Sequence, residues 1–161
     1  MPTPESRRPR ETSEQKISMY AWDCVGRAEA AGQLKEYVTG VKQLANHVSR
    51  NGLGQTLAFL ASKAGKDRQT QMIHTGKEYG LLYRHIETWL TGDGLDVSFH
   101  PHVPVYPTTG DDRHTAQLIH SIMTHDSRLY RRATREVMRL AVWLKLLGDA
   151  AKTADTPRRN A

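Results

Sequence analysis

The stretch NGLGQTLAFL at positions 51–60 decides the architecture, because it joins a turn directly to an apolar helix. Asn51-Gly52 is a turn signal, and the residues that follow are apolar nearly all round, which predicts a buried central helix ending at Gly65. Gly52 would turn the chain, and Gly54 would permit close helix packing. The Gly-x-Gly spacing does not indicate a dinucleotide site, since no strand precedes it and no third glycine follows in register.

Apolar residues recur at helical spacing on both sides of this stretch, which predicts five further helices. The first begins at Ser13 and stops at Gly32. The others cover about 33–50, 67–91, 112–125 and 127–152, and Asp126 or Ser127 would cap the last one. The pattern therefore predicts an all-α, single-domain bundle of about six helices, large enough to bury a core without disulfides or metal.

The predicted domain covers residues 13–152, and the segments outside it carry little to bury. Residues 1–12 hold three prolines and three arginines and predict a disordered basic tail, and residues 153–161 predict a second disordered tail. Residues 92–111, between the fourth and fifth helices, hold three prolines and three glycines. We expect a long loop there, of a kind that is often functional, with a short strand near 97–99 as the alternative.

Composition limits the class of protein and of partner. The 161 residues carry a net charge of +6, which favours nucleic acid or an acidic protein surface as partner. Cys24 is the only cysteine, so neither a disulfide nor a cysteine zinc site is expected. The sequence shows no secretory signal and no apolar run as long as a membrane span, so we expect a cytoplasmic protein that does not contact membrane.

The last predicted helix concentrates the positive charge on one face. Between positions 127 and 145, six basic residues less one glutamate give +5. Four of these residues follow one another at spacings of four, three and four positions and so lie on one side of the helix: Arg128, Arg132, Arg135 and Arg139. Arg131 flanks them. Guanidinium groups bind phosphate oxygens bidentately and could follow an RNA backbone without reading bases. The alternative is a solvated face paired with the loop at 92–111, which is acidic because it holds Asp93, Asp96 and Asp111 and no Lys or Arg. Lys63 and Lys66 form a second candidate RNA-binding group.

Catalytic patterns are missing from the sequence, so we expect no enzymatic activity and no cofactor. There is no nucleophile elbow, paired catalytic carboxylates or Walker loop. His125-Asp126 resembles the doublet of metal phosphohydrolases, and a metal-dependent nuclease using it with His114 or His120 is one alternative. Such chemistry needs further spaced ligands, and a helix cap is the favoured role for Asp126.

The three tryptophans, Trp22, Trp89 and Trp143, fall on or near apolar helix faces. Core packing is the expected role of such residues, and stacking on RNA bases is the minor alternative.

Two segments resemble a known family. NGLGQTLAFL at 51–60, with SKAG at 62–65, resembles the signature of the small subunit of the type III-B CRISPR effector, the Cmr complex. YRRATREVMRLAVWLK at 130–145 resembles the last helix of that family. Tyr83 and Trp89-Leu90 fall where the family also carries an aromatic residue and a Trp-Leu pair. The likeness covers most of the chain from about 14 to 150.

The resemblance implies an all-α, non-catalytic subunit of an antiviral ribonucleoprotein. Its partners would be the backbone and large subunits of the effector, further copies of itself stacked along the complex, and guide and target RNA. The choice of RNA-binding arginines rests on charge geometry and not on the resemblance. A protein–protein adaptor without direct RNA contact is the alternative function.

Overall fold

A computed structural model describes residues 12–65, 73–92, 117–124 and 126–155 of the chain. These residues form α-helices and no β-strand, which confirms the all-α prediction. The described helices are α1 (Ser13–Ala30), α2 (Leu34–Asn51), α3 (Leu53–Ala64), α4 (Glu78–Thr91), α5 (Gln117–Thr124) and α6 (Ser127–Asp155).

The first helix begins and ends where the sequence predicts. Thr12 and Gln15 form a capping box at its start: Gln15 N–H donates to Thr12 Oγ1 at 3.1 Å, and Thr12 N–H donates to Gln15 Oε1 at 2.7 Å. At its end, Gly32 adopts a φ of 71°, a left-handed conformation that favours glycine and turns the chain into α2.

The predicted fourth helix over 67–91 was wrong at residues 73–77, which are not helical, since α4 begins only at Glu78. Residues 67–72 of that prediction lie outside the described residues. The segment at 73–77 runs across the start of α4: a Cβ built on Gly80 would lie 1.7 Å from the carbonyl oxygen of His74. His74 N–H donates to the carbonyl oxygen of Gly65 at 3.0 Å, and Gln33 Nε2 donates to that of Gly76. These tertiary hydrogen bonds hold residues 73–77 against the start of α4, and Gly80 leaves room for the carbonyl of His74.

Two other boundaries differ less. Helix α6 continues to Asp155, three residues beyond the predicted end at 152. The predicted start of the fifth helix at 112, and the expected loop at 92–111 except for its first residue, fall outside the described residues. The same holds for residues 1–11 and 156–161, which make up most of the two predicted tails.

Contacts at both ends of α2 show that it runs antiparallel to α6. A Cβ on Gly148 would lie 2.6 Å from Val38 Cγ2, and at the other end Gly52 approaches the hydroxyl of Tyr130. The short turn at 31–33 joins α1 to the N-terminal end of α2, which lies near Gly148 of α6. Because α1 and α6 both run antiparallel to α2, they are parallel to each other. Helix α3 packs mainly on α4.

All six helices contribute to one continuous apolar core. Its largest fully buried side chains include Tyr37, Leu57, Tyr83 and Leu140. Leu53, Leu57 and Leu60 of α3 are buried, but Gln55, Ala58, Ser62 and Lys63 are exposed. The prediction of a central helix buried nearly all round was therefore wrong, because α3 packs on the core with one side only. No described helix combines the length and the apolarity needed to cross a membrane.

Candidate nucleic-acid interface

The turn at 51–60 and the start of α6 contact each other directly. Gly52 has a φ of 82°, and a Cβ there would lie 2.8 Å from Tyr130 Oη. Gly54 N–H donates to Tyr130 Oη at 3.2 Å, and Thr56 Oγ1 donates to the carbonyl oxygen of Gly52 at 2.8 Å. A Cβ at Gly54 would meet Met123 and Tyr130 only at 3.9 Å, so close packing does not require glycine at that position. This contact holds the arginine-rich start of α6 against α3.

Asp126 caps α6, as the sequence predicts. Its Oδ1 accepts a hydrogen bond from Leu129 N–H at 2.9 Å. The N-terminus of a helix carries a partial positive charge from its aligned peptide dipoles. The first turns of α6 therefore add their own positive potential to that of the arginines on them.

Four arginines in the first half of α6 are exposed: Arg128, Arg131, Arg132 and Arg135, which we call the arginine face. No side chain or backbone group within the described ranges forms a hydrogen bond or an ion pair with any of them. Charged groups that lack an intramolecular partner keep their full capacity for an external anion. The acidic residues of the 92–111 loop, which are the alternative partners predicted for these arginines, lie outside the described residues.

Arg139 shares this side of the helix but has a different environment. Its side chain is 34% exposed, and its two terminal nitrogens lie 2.8 Å from Glu14 Oε1 and 2.8 Å from Glu136 Oε1. A further bond joins Arg139 to Ser13 Oγ at 3.0 Å. The hydrogen bond from Arg139 lowers the pKa of Glu14, and the bond to Glu14 raises the pKa of Arg139, so the pair stays charged. Arg139 is thus fixed to α1, whereas the arginine face is open.

The same two carboxylates also bind tryptophans. Trp143 Nε1 donates to Glu14 Oε2 at 2.9 Å, and Trp89 Nε1 donates to Glu136 Oε2 at 3.2 Å. Trp89 is buried and Trp143 packs against the core, as predicted, but Trp22 is 58% exposed, so its predicted core role was wrong. The described elements therefore leave more than half of the Trp22 side chain on α1 open to solvent.

Lys63, the one of the two predicted lysines that the structure describes, does not extend the arginine face. Lys63 is exposed near the end of α3, with its Nζ 5.7 Å from the ring centroid of Phe59. At 1.5 Å per residue, it lies about 14 Å along α3 from Gly54, where that helix contacts Tyr130. Lys66 lies outside the described residues. Lys63 therefore forms a separate basic position with an aromatic neighbour.

The sequence matches the profile of the family described as CRISPR-associated protein (Cas_Cmr5) over residues 13–151. The chain belongs to this family. The match begins at the first residue of α1 and ends four residues before the end of α6, so it includes every described helix. The chain is thus a small subunit of the type III-B CRISPR complex, as the resemblance of the two segments implies. A search of curated proteins found no match.

Of the residues named in the metal-nuclease alternative, the structure describes His120 and Asp126. Among the described residues, no group of three His, Cys, Asp or Glu side chains could hold a metal ion. His120 is exposed on α5, and Asp126 is engaged as the cap of α6. His114 and His125 lie outside the described residues.

A buried polar cluster that sequence reasoning missed joins α1, α2 and α4. His85 Nδ1 lies 2.7 Å from Tyr37 Oη, and Tyr20 Oη donates to the carbonyl oxygen of His85. Burial lowers the pKa of His85 from its usual 6.5 to about 4, so the imidazole is neutral at physiological pH. Burial also raises the pKa of Cys24 to about 12, which keeps this thiol protonated. The cluster is a structural feature of the core of this Cas_Cmr5 protein.

Proposed function

We propose that the chain is a non-catalytic subunit whose arginine face contacts the phosphate backbone of guide or target RNA in antiviral defence. In this proposal several copies stack along the effector, beside its backbone and large subunits, in the cytoplasm. The observation that carries the proposal is the row of four exposed arginines on α6 that have no partner among the described residues.

Their arrangement suits a backbone contact. Arg128 and Arg135 lie seven residues apart on one helix, which is about 10 Å along its axis. Each of the four guanidinium groups can bind two phosphate oxygens, so the arginine face can contact several neighbouring phosphates of one strand. Phosphate contacts position a nucleic acid without reading its sequence. In an RNA-guided complex base pairing reads the sequence, so such contacts suffice for a supporting subunit.

The test is the salt dependence of binding to a single-stranded RNA oligonucleotide. Removing one contact with a phosphate should reduce the slope of log K against log salt by about 0.7 for a single strand. Replacing all four residues of the arginine face by glutamine should therefore reduce the slope by about 3.

A matched control separates a located contact from a general effect of charge. Four exposed basic residues on other surfaces are replaced by glutamine in the control: Arg27, Lys35, Lys42 and Lys77. Both variants lose the same formal charge, but the control should keep a slope close to that of the wild type. Equal slopes in the two variants would refute the RNA contact and favour the adaptor function.

The non-catalytic part of the proposal has its own assay. Labelled RNA incubated with the full chain and Mg²⁺ or Mn²⁺ should stay intact over hours. Cleavage that follows the protein through purification and is abolished by replacing His120 would revive the metal-nuclease alternative.

A further inference from the structure

The stretch that forms most of α2 and all of α3 carries no carboxylate. Residues 37–66 hold neither Asp nor Glu, although the chain has 17 acidic residues among 161, so about three would be expected in thirty positions. The same stretch holds four residues of Lys and Arg: Lys42, Arg50, Lys63 and Lys66. Where such residues are exposed and unpaired, they leave a positive surface that suits an anionic partner.

Aromatic rings from three helices meet on this stretch. The rings of His47 on α2 and Phe59 on α3 are stacked, with centroids 5.0 Å apart and planes 17° from parallel. Tyr79 at the start of α4 contacts Phe59 edge to face at 6.0 Å. Lys63 Nζ lies 5.7 Å from the centroid of Phe59. We call His47, Phe59, Lys63 and the neighbouring Arg50 the stacked-ring site.

The groups of the stacked-ring site are open to an external partner. His47 and Phe59 are half-buried, and His47 forms no hydrogen bond with any group in the described ranges. Arg50 follows His47 by three residues and so lies on the same side of α2. Arg50 and Lys63 are exposed and have no ion-pair partner among the described residues, unlike Lys42, which pairs with Asp149.

The carboxylates of the neighbouring helices leave this charge unneutralised. Within their described residues, α3 and α5 carry none. On α2, Glu36 lies eleven residues before His47, about 16 Å along the helix. On α4, Glu87 is paired with Arg84 at 2.8 Å, and Glu78 adjoins Tyr79 and borders the site there.

The turn between α2 and α3 connects the stacked-ring site to the arginine face. Gly54 N–H donates to Tyr130 Oη, and Arg131 of the arginine face follows Tyr130 directly. Arg50 lies four residues before Gly54, and Phe59 lies five residues after it, about 8 Å along α3. The two surfaces are therefore close enough to be occupied by one RNA strand.

We infer that the stacked-ring site binds single-stranded RNA, with a base stacked on His47 and neighbouring phosphates bound by Arg50 and Lys63. This inference rests on the proposed function of RNA contact, and it adds a contact of different chemistry. Aromatic side chains accept any base, because every base has a π face. RNA uses both the ring surface and the cations of the site, whereas an acidic protein surface uses only the cations.

The experiment measures binding of the full chain to a single-stranded oligoribonucleotide that carries 2-aminopurine, a base analogue whose fluorescence falls on stacking. His47→Gln should weaken binding roughly five- to a hundredfold. It should leave the salt slope unchanged, since stacking releases no counterions. His47→Phe, which keeps an aromatic ring, should retain the affinity. His120→Gln, at an exposed histidine on α5, is the control.

The two cations are tested by the salt slope in the same assay. Arg50→Gln/Lys63→Gln should reduce the slope by about 1.4, since each phosphate contact with a single strand contributes about 0.7. Lys35→Gln/Lys77→Gln removes the same charge from other exposed positions and should leave the slope unchanged. Unchanged circular dichroism would show that all these variants are folded.

The outcomes separate this inference from the proposed function. Wild-type affinity in His47→Gln, or a loss in His47→Phe as large as in His47→Gln, overturns it. So does an equal loss for double-stranded RNA, whose bases are not free to stack on protein. Variants of the site that keep RNA binding but no longer bind the effector complex would assign it to a protein partner instead. An unchanged slope in the four-glutamine variant of the arginine face refutes the proposed contact there, whereas the loss in His47→Gln tests the stacked-ring site alone.

Discussion

Replacing Gly148 by alanine is expected to destabilise the bundle, although alanine is the better helix former. A Cβ at Gly148 would lie 2.6 Å from Val38 Cγ2, where α6 crosses α2. Val38 is fully buried and β-branched, and such a side chain has one strongly preferred rotamer in a helix. It therefore cannot rotate away, and the two helices must move apart.

The magnitude follows from two opposing effects. Alanine in a helix interior is favoured over glycine by about 1 kcal/mol. Overpacking a core contact costs about 1–3 kcal/mol, so the net result is a loss of up to about 2 kcal/mol in the free energy of unfolding. Gly26, inside α1, is the matched control, because a Cβ there would meet nothing within 4 Å. Gly26→Ala should instead stabilise the protein by about 0.5–1 kcal/mol.

Urea unfolding followed by circular dichroism measures both variants. Val38→Ala removes the methyl groups that clash, so the double variant Gly148→Ala/Val38→Ala should be more stable than the sum of the single effects predicts. A coupling of about 1 kcal/mol is expected for residues in such contact. The steric conflict with Val38 is refuted if Gly148→Ala stabilises the protein as Gly26→Ala does, or if the double-variant effects simply add.

Three further predictions concern polar groups. Tyr130→Phe leaves Gly54 N–H without its partner and should lower the free energy of unfolding by about 1–2 kcal/mol in the same urea assay. The lowered pKa of His85 means that the unfolded chain binds the proton more readily, so stability should fall by about 3 kcal/mol as pH drops from 6.5 to about 4. In His85→Asn this part of the pH dependence should disappear. Arg139→Gln should reduce the RNA salt slope less than Arg132→Gln, because only Arg139 is already bound by carboxylates.

Matched variants separate the contributions of these three polar groups from general effects. Tyr79→Phe is the control for the tyrosine, since the Tyr79 hydroxyl has no hydrogen-bond partner within the described ranges. Equal effects of Tyr130→Phe and Tyr79→Phe would show that the bond to Gly54 contributes nothing. A pH profile that His85→Asn leaves unchanged would assign the acid sensitivity to other groups. Equal reductions of the slope at Arg139 and Arg132 would mean that RNA displaces the carboxylates.

Local signals in the sequence were enough to predict most of the fold. The all-α class, the start of α1 at Ser13 and the stop at Gly32 depend on apolar spacing, a capping residue and a glycine, all of which act within a few residues. The start of α4 at Glu78 could not be predicted in this way, because it depends on the carbonyl of His74 approaching Gly80.

For the candidate site too, local patterns could be predicted from the sequence and contacts between distant residues could not. Helical spacing was enough to place the arginines on one side of α6. It could not show that Arg139 pairs with Glu14, because that contact spans 125 residues of sequence. Nor could it show that Trp22 is exposed, since an apolar position is buried only if another element covers it. The buried environment of His85 likewise arises from α1 and α2 packing around α4.

The most direct test of an RNA contact at the arginine face is photocrosslinking in the assembled effector. A diazirine-bearing amino acid replaces Arg132 in one variant and Lys35, exposed on α2, in the control. Irradiation of the complex should link the chain to RNA from position 132 and not from position 35. Linkage of position 132 only to protein, or equal RNA linkage from the two positions, would contradict a contact between the arginine face and RNA.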